Sequence, residues 1–184
     1  MLRRPLARVV LLIVFLEGSM LYGPFAFLAT HLHLHTGVSL SGAGGLVTLY
    51  ALGGMLFAIA SRRLVAWMGE AGLARGGGAL MLAGLMLAAF SPVWWTAPLA
   101  CTAAGLGFYM FHNTLQTNAT QMAPTRRGTA VALFASLFFL GQSLGVALAG
   151  RIAEGVGTAW MLTISALAML PVGFGFSLMR SLRK

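Results

Sequence analysis

The chain has 184 residues, of which 59% are hydrophobic and 8% are charged, and its mean hydropathy is +0.88. Soluble domains carry about 25% charged residues, so this composition excludes an ordinary soluble domain and indicates an integral membrane protein. The net charge of +9 does not indicate nucleic-acid binding, because the basic residues are dispersed over short polar segments without interleaved aromatic side chains. The single cysteine, Cys101, excludes an intramolecular disulfide and any multi-cysteine metal motif. We expect neither a cofactor nor a bound metal.

Six apolar stretches follow one another along the chain, and each crossing of a bilayer uses ~20 residues as a helix. They cover roughly residues 9–30, 42–60, 76–91, 95–118, 128–150 and 158–179. The sequence therefore predicts an all-α integral membrane protein, with residues 1–184 forming a single domain of six transmembrane helices. The first stretch resembles a secretory signal peptide in its apolar run, but Glu17 interrupts the run and no cleavage site follows at once. We expect this stretch to be retained as a span.

Basic residues occur in every second gap between these stretches. Eleven of the twelve fall in one set of gaps, and Arg151 alone falls in the other. The eleven are Arg3, Arg4, Arg8, Arg62, Arg63, Arg75, Arg126, Arg127, Arg180, Arg183 and Lys184. Because positive charge near span ends stays in the cytoplasm, the alternation predicts that both termini are cytoplasmic. It also suggests two three-span units, 1–91 and 92–184, that enter the membrane from opposite sides as an inverted repeat.

Glu17 lies near the middle of the first stretch, shortly before the pair Gly23-Pro24, where we expect the helix to kink or break. A charged side chain costs ~2.5–3.5 kcal/mol at the centre of a membrane helix in insertion experiments, so we expect Glu17 to face protein or water. It is a candidate for coupling to protons or for recognising a cation. The alternative is a structural hydrogen bond to a neighbouring helix.

The fourth stretch ends in polar side chains. Tyr109, Asn113, Gln116 and Thr120 follow i, i+4, i+7, i+11 spacing and share one helical face, with His112 beside it. Uncharged donors and acceptors on one face suit a wet cavity that binds and releases a solute. The alternative is interhelical hydrogen bonding near the cytoplasmic interface.

Three histidines, His31, His33 and His35, alternate with leucines after the first stretch. On a strand they would share a face and could bind a transition metal or sense pH. We predict instead a short exposed loop without a metal, because no carboxylate or cysteine lies nearby in the sequence.

The segment Gly141-Gln142-Ser143-Leu144-Gly145 matches the G-x-S-x-G pattern of a nucleophile elbow. That motif requires a turn from a strand to a helix, and this segment lies inside an apolar helical run. Gly141 and Gly145 are better explained as small residues that allow close helix packing, while Gln142 is a candidate for reaching into a cavity. We therefore predict that the protein is not an enzyme.

Three stretches of the chain resemble the major facilitator superfamily, specifically the C-terminal six-span half of a twelve-span transporter. Residues 53–78 resemble the family's loop between its second and third spans, which recurs in each half, and residues 61–75 are predicted as that loop. The matching positions are Gly53-Gly54, Ser61-Arg62-Arg63, Gly69-Glu70 and Gly76-Gly77-Gly78. Residues 116–132 are similar to the junction between the tenth and eleventh spans, and residues 141–145 to the glycine-rich eleventh span. The loop lacks the acidic residue often found there, and the chain has no Asp.

The resemblance extends over nearly the whole chain and implies the transport of a small solute by a secondary transporter. It implies proton-coupled efflux of sugars or drug-like compounds across a bacterial inner membrane. In that fold the substrate lies between two six-span halves, so the expected partners are the bilayer, a solute, protons and a second half. The second half could be covalently attached, a separate chain or a second copy. The alternative functions are a six-span structural or assembly protein and an intramembrane enzyme.

Overall fold

The computed structural model describes residues 5–121 and 123–181, with side chains for residues 7–121 and 123–178. Helix makes up 94% of the structure, and the described residues contain no strand, which confirms the predicted all-α class. Five of the twelve basic residues fall outside the described side chains, so their placement is not part of the fold below. They are Arg3, Arg4, Arg180, Arg183 and Lys184.

The described residues form eight α-helices in chain order. They are α1 (Pro5–Glu17), α2 (Gly23–Phe25), α3 (Leu28–Thr36), α4 (Leu40–Thr48), α5 (Tyr50–Phe90), α6 (Ala97–Gln121), α7 (Arg127–Val156) and α8 (Thr158–Ser181). A π-helix at Gly18–Tyr22 joins α1 to α2, and 3₁₀ turns at Trp94–Thr96 and Pro124–Arg126 precede α6 and α7. The break after Glu17 thus begins before the predicted Gly23-Pro24 kink.

Four stretches of the described chain are long and apolar enough to cross a membrane. They are Ala7–Thr36, Leu40–Phe90, Pro124–Val156 and Thr158–Leu178. Helix α6, which was predicted as the fourth span, is not among them, because its C-terminal half is rich in polar side chains. Length and composition therefore fit a membrane protein, and the four stretches do not by themselves give six crossings.

Helix α5 folds back on itself. Its 41 residues include one with non-helical backbone angles, Gly69, at φ 62° and ψ 177°. A Cβ added to Gly53 would collide with the α6 backbone at Leu106, and one added to Gly84 would lie 2.6 Å from the carbonyl oxygen of Ala100. Both arms of α5, Tyr50 to Met68 and Glu70 to Phe90, therefore pack against α6, and the chain reverses at Gly69. The predicted loop 61–75 is instead helical on both sides of this residue, since one glycine suffices for the reversal.

The C-terminal end of α6 lies beside this reversal. Asn118 Nδ2 donates a hydrogen bond of 3.0 Å to Glu70 Oε2 across the two helices. The described basic residues near this end are all exposed, namely Arg62, Arg63, Arg75, Arg126 and Arg127. Arg151 lies near the C-terminal end of α7, a whole helix length away. The fold thus gathers these five arginines, which the sequence pattern assigns to one side, at one end.

Helix α7 packs closely on α1 and the π-helix through two of its glycines. A Cβ on Gly141 would overlap the backbone of Phe15, and one on Gly145 would overlap the backbone of Ser19. The Ser19 hydroxyl also lies 2.9 Å from the carbonyl oxygen of Gly141. This contact holds the segment around Glu17 against α7.

The prediction of an exposed loop around the three histidines is wrong. His31 lies in α3 and is fully buried, with Nδ1 2.7 Å from Thr158 Oγ1 and Nε2 3.1 Å from the carbonyl oxygen of Ala88. His35 stacks on it with ring centroids 4.1 Å apart. The histidines follow helical spacing, so only His31 faces the interior, where it links α3 to α5 and α8.

Candidate functional site

A carboxylate and an imidazole meet inside the helical bundle. Glu17 has no exposed surface, and its Oε2 lies 2.8 Å from Nδ1 of His112 on α6. The His112 side chain is 17% exposed. Among the described residues, Glu17 Oε1 has no hydrogen-bond partner. The pair therefore connects a sealed carboxylate to a side chain that reaches the surface of this chain.

Glu17 faces the interior because it shares the buried face of α1 with Ala7, Val10 and Val14. Glu17 ends α1, and the π-helix Gly18–Tyr22 follows directly. A π-helical turn inserts an extra residue and rotates the side chains that follow it, and such turns are frequent at functional sites. Gly18 allows this segment to touch α7, because a Cβ there would overlap the carbonyl oxygen of Phe138.

Aromatic rings surround the imidazole of His112. Phe108, one turn earlier on α6, stacks on it with ring centroids 4.8 Å apart and an interplanar angle of 26°. Phe138 and Phe134 of α7 approach it with centroids 4.8 and 5.3 Å away. These contacts hold the imidazole in place beside Glu17.

Two tyrosines extend the aromatic group to the other helices. The ring of Tyr22, at the end of the π-helix, lies 5.5 Å from that of Phe138 and 6.5 Å from that of Tyr50. Tyr50 in turn contacts Phe25 at 4.6 Å between centroids. We call Tyr22, Phe25, Tyr50, Phe108, Phe134 and Phe138 the aromatic cluster. It joins five helical segments around the Glu17–His112 pair.

The polar residues predicted on and beside one face of α6 do not all line the same site. His112 faces Glu17, whereas Asn113 lines a separate cleft of about 120 Å³ beside the first arm of α5. Its other walls are Phe57, Val65, Glu70, Leu73, Thr114 and Thr117. The Asn113 amide donates a hydrogen bond of 2.9 Å to the carbonyl oxygen of Tyr109, and Gln116 is exposed. Adjacent residues on a helix point about 100° apart, which separates His112 from Asn113.

The remaining predicted cavity residues, Tyr109 and Gln142, form no side-chain hydrogen bond with Glu17 or His112 among the described residues. The ring of Tyr109 packs on Gly54, where an added Cβ would lie 2.5 Å from it. Gln142 is half-buried on α7, with its backbone nitrogen beside Gly18. Gly54 thus acts as a packing position, while Arg62 and Arg63 are exposed on the first arm of α5 and Gly69 forms the reversal.

Several contributors to the site carry no signal in the sequence. Tyr22, Tyr50 and Phe108 are ordinary aromatic residues of apolar stretches until the helices bring them together. Glu70 was noted only as part of the loop resemblance, yet it binds Asn118. The sequence does indicate that Glu17 and His112 are unusual at depth, because both are costly to bury without a partner.

A hydrogen bond of this length allows a proton to pass between His112 and Glu17. A proton that arrives at the exposed part of the imidazole can neutralise a carboxylate that has no other contact with solvent. Within the described chain, no group of three or more His, Cys, Asp or Glu side chains could hold a metal ion. The chemistry that the arrangement supports is proton binding and release inside a bundle of apolar helices.

No family model matches the chain, and no curated protein matches it.

Proposed function

We propose that the chain crosses a bacterial inner membrane six times, with both termini in the cytoplasm. Leu40–Phe90 supports this count, because its 51 residues are about 77 Å long as helix and a bilayer core is about 30 Å thick. The reversal at Gly69 divides this length into two passes. The exposed arginines near Gly69 and α7's start support the orientation.

We propose further that the chain is one half of a proton-coupled secondary transporter of the major facilitator type, acting in efflux of a small solute. The observation that carries this proposal is the buried Glu17–His112 pair. Ionisable residues at membrane depth are costly and mark ion pathways and proton relays. The partial exposure of His112 gives protons a route to a carboxylate that is otherwise sealed.

The exposed edge of His112 also supports the half-transporter proposal. Substrate and coupling sites of such transporters lie near the bilayer midplane between repeated units. In this proposal the solute contacts the side of the bundle that carries His112, and a second six-span unit closes the cavity. That unit is a covalent extension, a separate chain or a second copy.

Everted membrane vesicles containing the full chain test this function. An imposed proton gradient is monitored with a pH-sensitive acridine dye while sugars and drug-like compounds, including ethidium, are added one at a time. We expect at least one solute to release protons in the wild type. Glu17→Gln should abolish this release while the protein remains in the membrane, because glutamine cannot carry the proton.

Glu154→Gln is the matched control. Glu154 is exposed near the end of α7, so its replacement removes a carboxylate of the same kind away from the pair. We expect wild-type proton release from this variant. Undiminished proton-driven flux in Glu17→Gln contradicts the proposed role of the pair. The absence of a response to every solute in the wild type contradicts transport by this chain alone or by two copies of it.

A further inference from the structure

A second cleft lies on the opposite side of α5 from α6. It has a volume of about 150 Å³ and is lined by Ala71, Arg75, Phe174, Ser177 and Leu178. The first two residues belong to the second arm of α5, just after the reversal at Gly69, and the other three to the C-terminal part of α8. The cleft is therefore at the end of the bundle where the exposed arginines gather.

The walls of this cleft are fixed by close helix packing. A Cβ on Gly173 would lie 2.8 Å from the carbonyl oxygen of Ala74, and Gly78 lies beside Gly173. The two backbones thus touch one turn deeper than the cleft. A contact of this kind holds Arg75 and Ser177 on facing helices at a constant separation.

Arg75 places a positive charge at the cleft and forms no ion pair with another described residue. Its side chain is exposed. Glu70, the nearest acidic residue in the sequence, lines the cleft on the α6 side and accepts a hydrogen bond from Asn118. The guanidinium has five N–H donors, whose fork geometry matches carboxylate and phosphate oxygens.

Ser177 is the second polar group of the cleft. It is 4% exposed and lies on the α8 wall of the cleft, one helical turn after Gly173. Serine and threonine in helices commonly bond to the carbonyl four residues earlier, as Thr163 of the same helix does to Ala159 at 2.8 Å. A serine hydroxyl has one O–H donor, so Ser177 can instead donate to a phosphate oxygen held beside Arg75.

We propose that this cleft binds the phosphate headgroup of an acidic phospholipid. The phosphate would accept hydrogen bonds from Arg75 and Ser177, and the acyl chains would lie along Phe174 and Leu178, which are 48% and 62% exposed. These apolar walls favour a lipid over free phosphate, since an inorganic ion gains nothing from them. Acidic lipids are recognised by basic pockets between helices on the cytoplasmic side. The inference rests on the proposed topology and is independent of transport.

Lipid titration of the purified full chain in dodecyl maltoside tests this site. Thermal unfolding is followed while dioleoylphosphatidylglycerol, dioleoylphosphatidylcholine or inorganic phosphate is added, and the concentration of half-maximal stabilisation is measured. We expect phosphatidylglycerol to stabilise the wild type at concentrations at least ten-fold lower than phosphatidylcholine. Arg75→Gln should raise the half-maximal concentration of phosphatidylglycerol about ten-fold, and Ser177→Ala should raise it about three- to ten-fold.

Arg63→Gln is the matched control, because Arg63 is an exposed arginine of the same end that does not line the cleft. Its loss should raise the half-maximal concentration by no more than the about five-fold effect of one diffuse surface charge. Equal effects of Arg75→Gln and Arg63→Gln would overturn the proposal in favour of unspecific attraction. If phosphatidylcholine stabilised the protein equally, the cleft would be an apolar groove that does not select acidic headgroups. If millimolar phosphate alone stabilised it, the ligand would be a free ion and not a lipid. Transport by Arg75→Gln is unaffected in every case that supports the lipid site.

Discussion

Glu17 and His112 depend on each other energetically because of where they lie. A carboxylate with no exposed surface has lost the hydration that stabilises its charge, and the imidazole at 2.8 Å is its one hydrogen-bond partner among the described residues. Removing one member of a buried pair is more costly than removing both, because the remaining charge stays buried without compensation. Because His112 is partly exposed, it can be hydrated when Glu17 is removed, whereas Glu17 cannot be hydrated when His112 is removed.

A double-mutant cycle on the pair measures this dependence. We expect His112→Leu to lower the free energy of unfolding by about 3 kcal/mol, since it leaves Glu17 buried and unpaired. The double variant Glu17→Gln with His112→Leu should lose less than the single His112→Leu variant. Unfolding by sodium dodecyl sulfate in mixed micelles, followed by circular dichroism, gives the three values.

Asn113→Leu serves as the control for His112→Leu. Asn113 is the next residue on α6 and bonds only to the Tyr109 carbonyl among the described residues, so Glu17→Gln should not compensate for its loss. Additive effects of Glu17→Gln and His112→Leu contradict the proposed coupling of the pair.

The sequence identifies both members of this pair but not the pairing. Glu17 and His112 stand out because each is polar within an apolar stretch, whereas their separation of 95 positions in the sequence gives no indication that they touch. Their contact is a consequence of how α1 and α6 pack. For the same reason Asn113, which shares a predicted face with other polar residues, lies at a different cleft.

At the scale of the element, α5 shows where sequence patterns are least informative. The basic residues and the glycines of segment 61–75 indicate a loop, yet both sides of Gly69 are helical. Alanine, leucine and arginine are good helix formers, and the packing of both arms on α6 stabilises the helix further. A single residue with positive φ then makes the whole turn, and no periodicity in the sequence shows which glycine it is.

Substitution of Gly69 tests the reversal of α5. Its φ of 62° and ψ of 177° lie in a region that is essentially restricted to glycine, so Gly69→Ala should lower the free energy of unfolding by about 1–3 kcal/mol. Gly175→Ala makes the same change in a helical residue of α8 with no atom near the added Cβ. It should be neutral or stabilising by up to about 1 kcal/mol. Detergent unfolding compares the two variants, and an equal loss in both would argue against strain at the reversal.

At the scale of the whole molecule, the helical bundle has two distinct ends, each marked by contacts between polar side chains or backbone groups. Asn118 meets Glu70 at one end of α6, and His31 meets Thr158 and Ala88 near the opposite end of the bundle. The charge pattern predicts that the first of these ends is cytoplasmic. The reversal at Gly69 divides the longest apolar stretch, Leu40–Phe90, into two helical arms, which the apolar stretches alone do not reveal.

Cysteine labelling at the two ends of α7 tests this orientation. Thr125 precedes the helix and Glu154 lies in its last turn, and both are exposed. In a Cys101→Ala background, a membrane-impermeant maleimide added to intact cells should label Glu154→Cys and leave Thr125→Cys unlabelled. Both variants should react in permeabilised cells. The reverse pattern contradicts the orientation, and equal labelling of both in intact cells contradicts a membrane-spanning α7.

The exposed sides of α7 and α8 differ in a way that bears on assembly. The exposed positions of α8, such as Ile164, Leu167 and Phe174, are apolar and suit lipid contact. Those of α7 are mixed: beside apolar residues such as Phe139 and Leu144 they include Ser136 and Ser143, and small or polar residues of membrane helices are typical of helix interfaces. The second half of the proposed transporter should therefore cover α7.

The substitutions Ser143→Trp and Leu167→Trp place the same large side chain on these two surfaces. If a second unit covers α7, Ser143→Trp should abolish both transport and the association of the chain measured by light scattering in detergent. Leu167→Trp should leave both unchanged, because a tryptophan facing lipid displaces only acyl chains. Wild-type protein should accordingly elute as a dimer or a larger species when a second copy is the missing half. A wild-type monomer that transports by itself would contradict the half-transporter proposal, since no second unit would then be needed to close the cavity at His112.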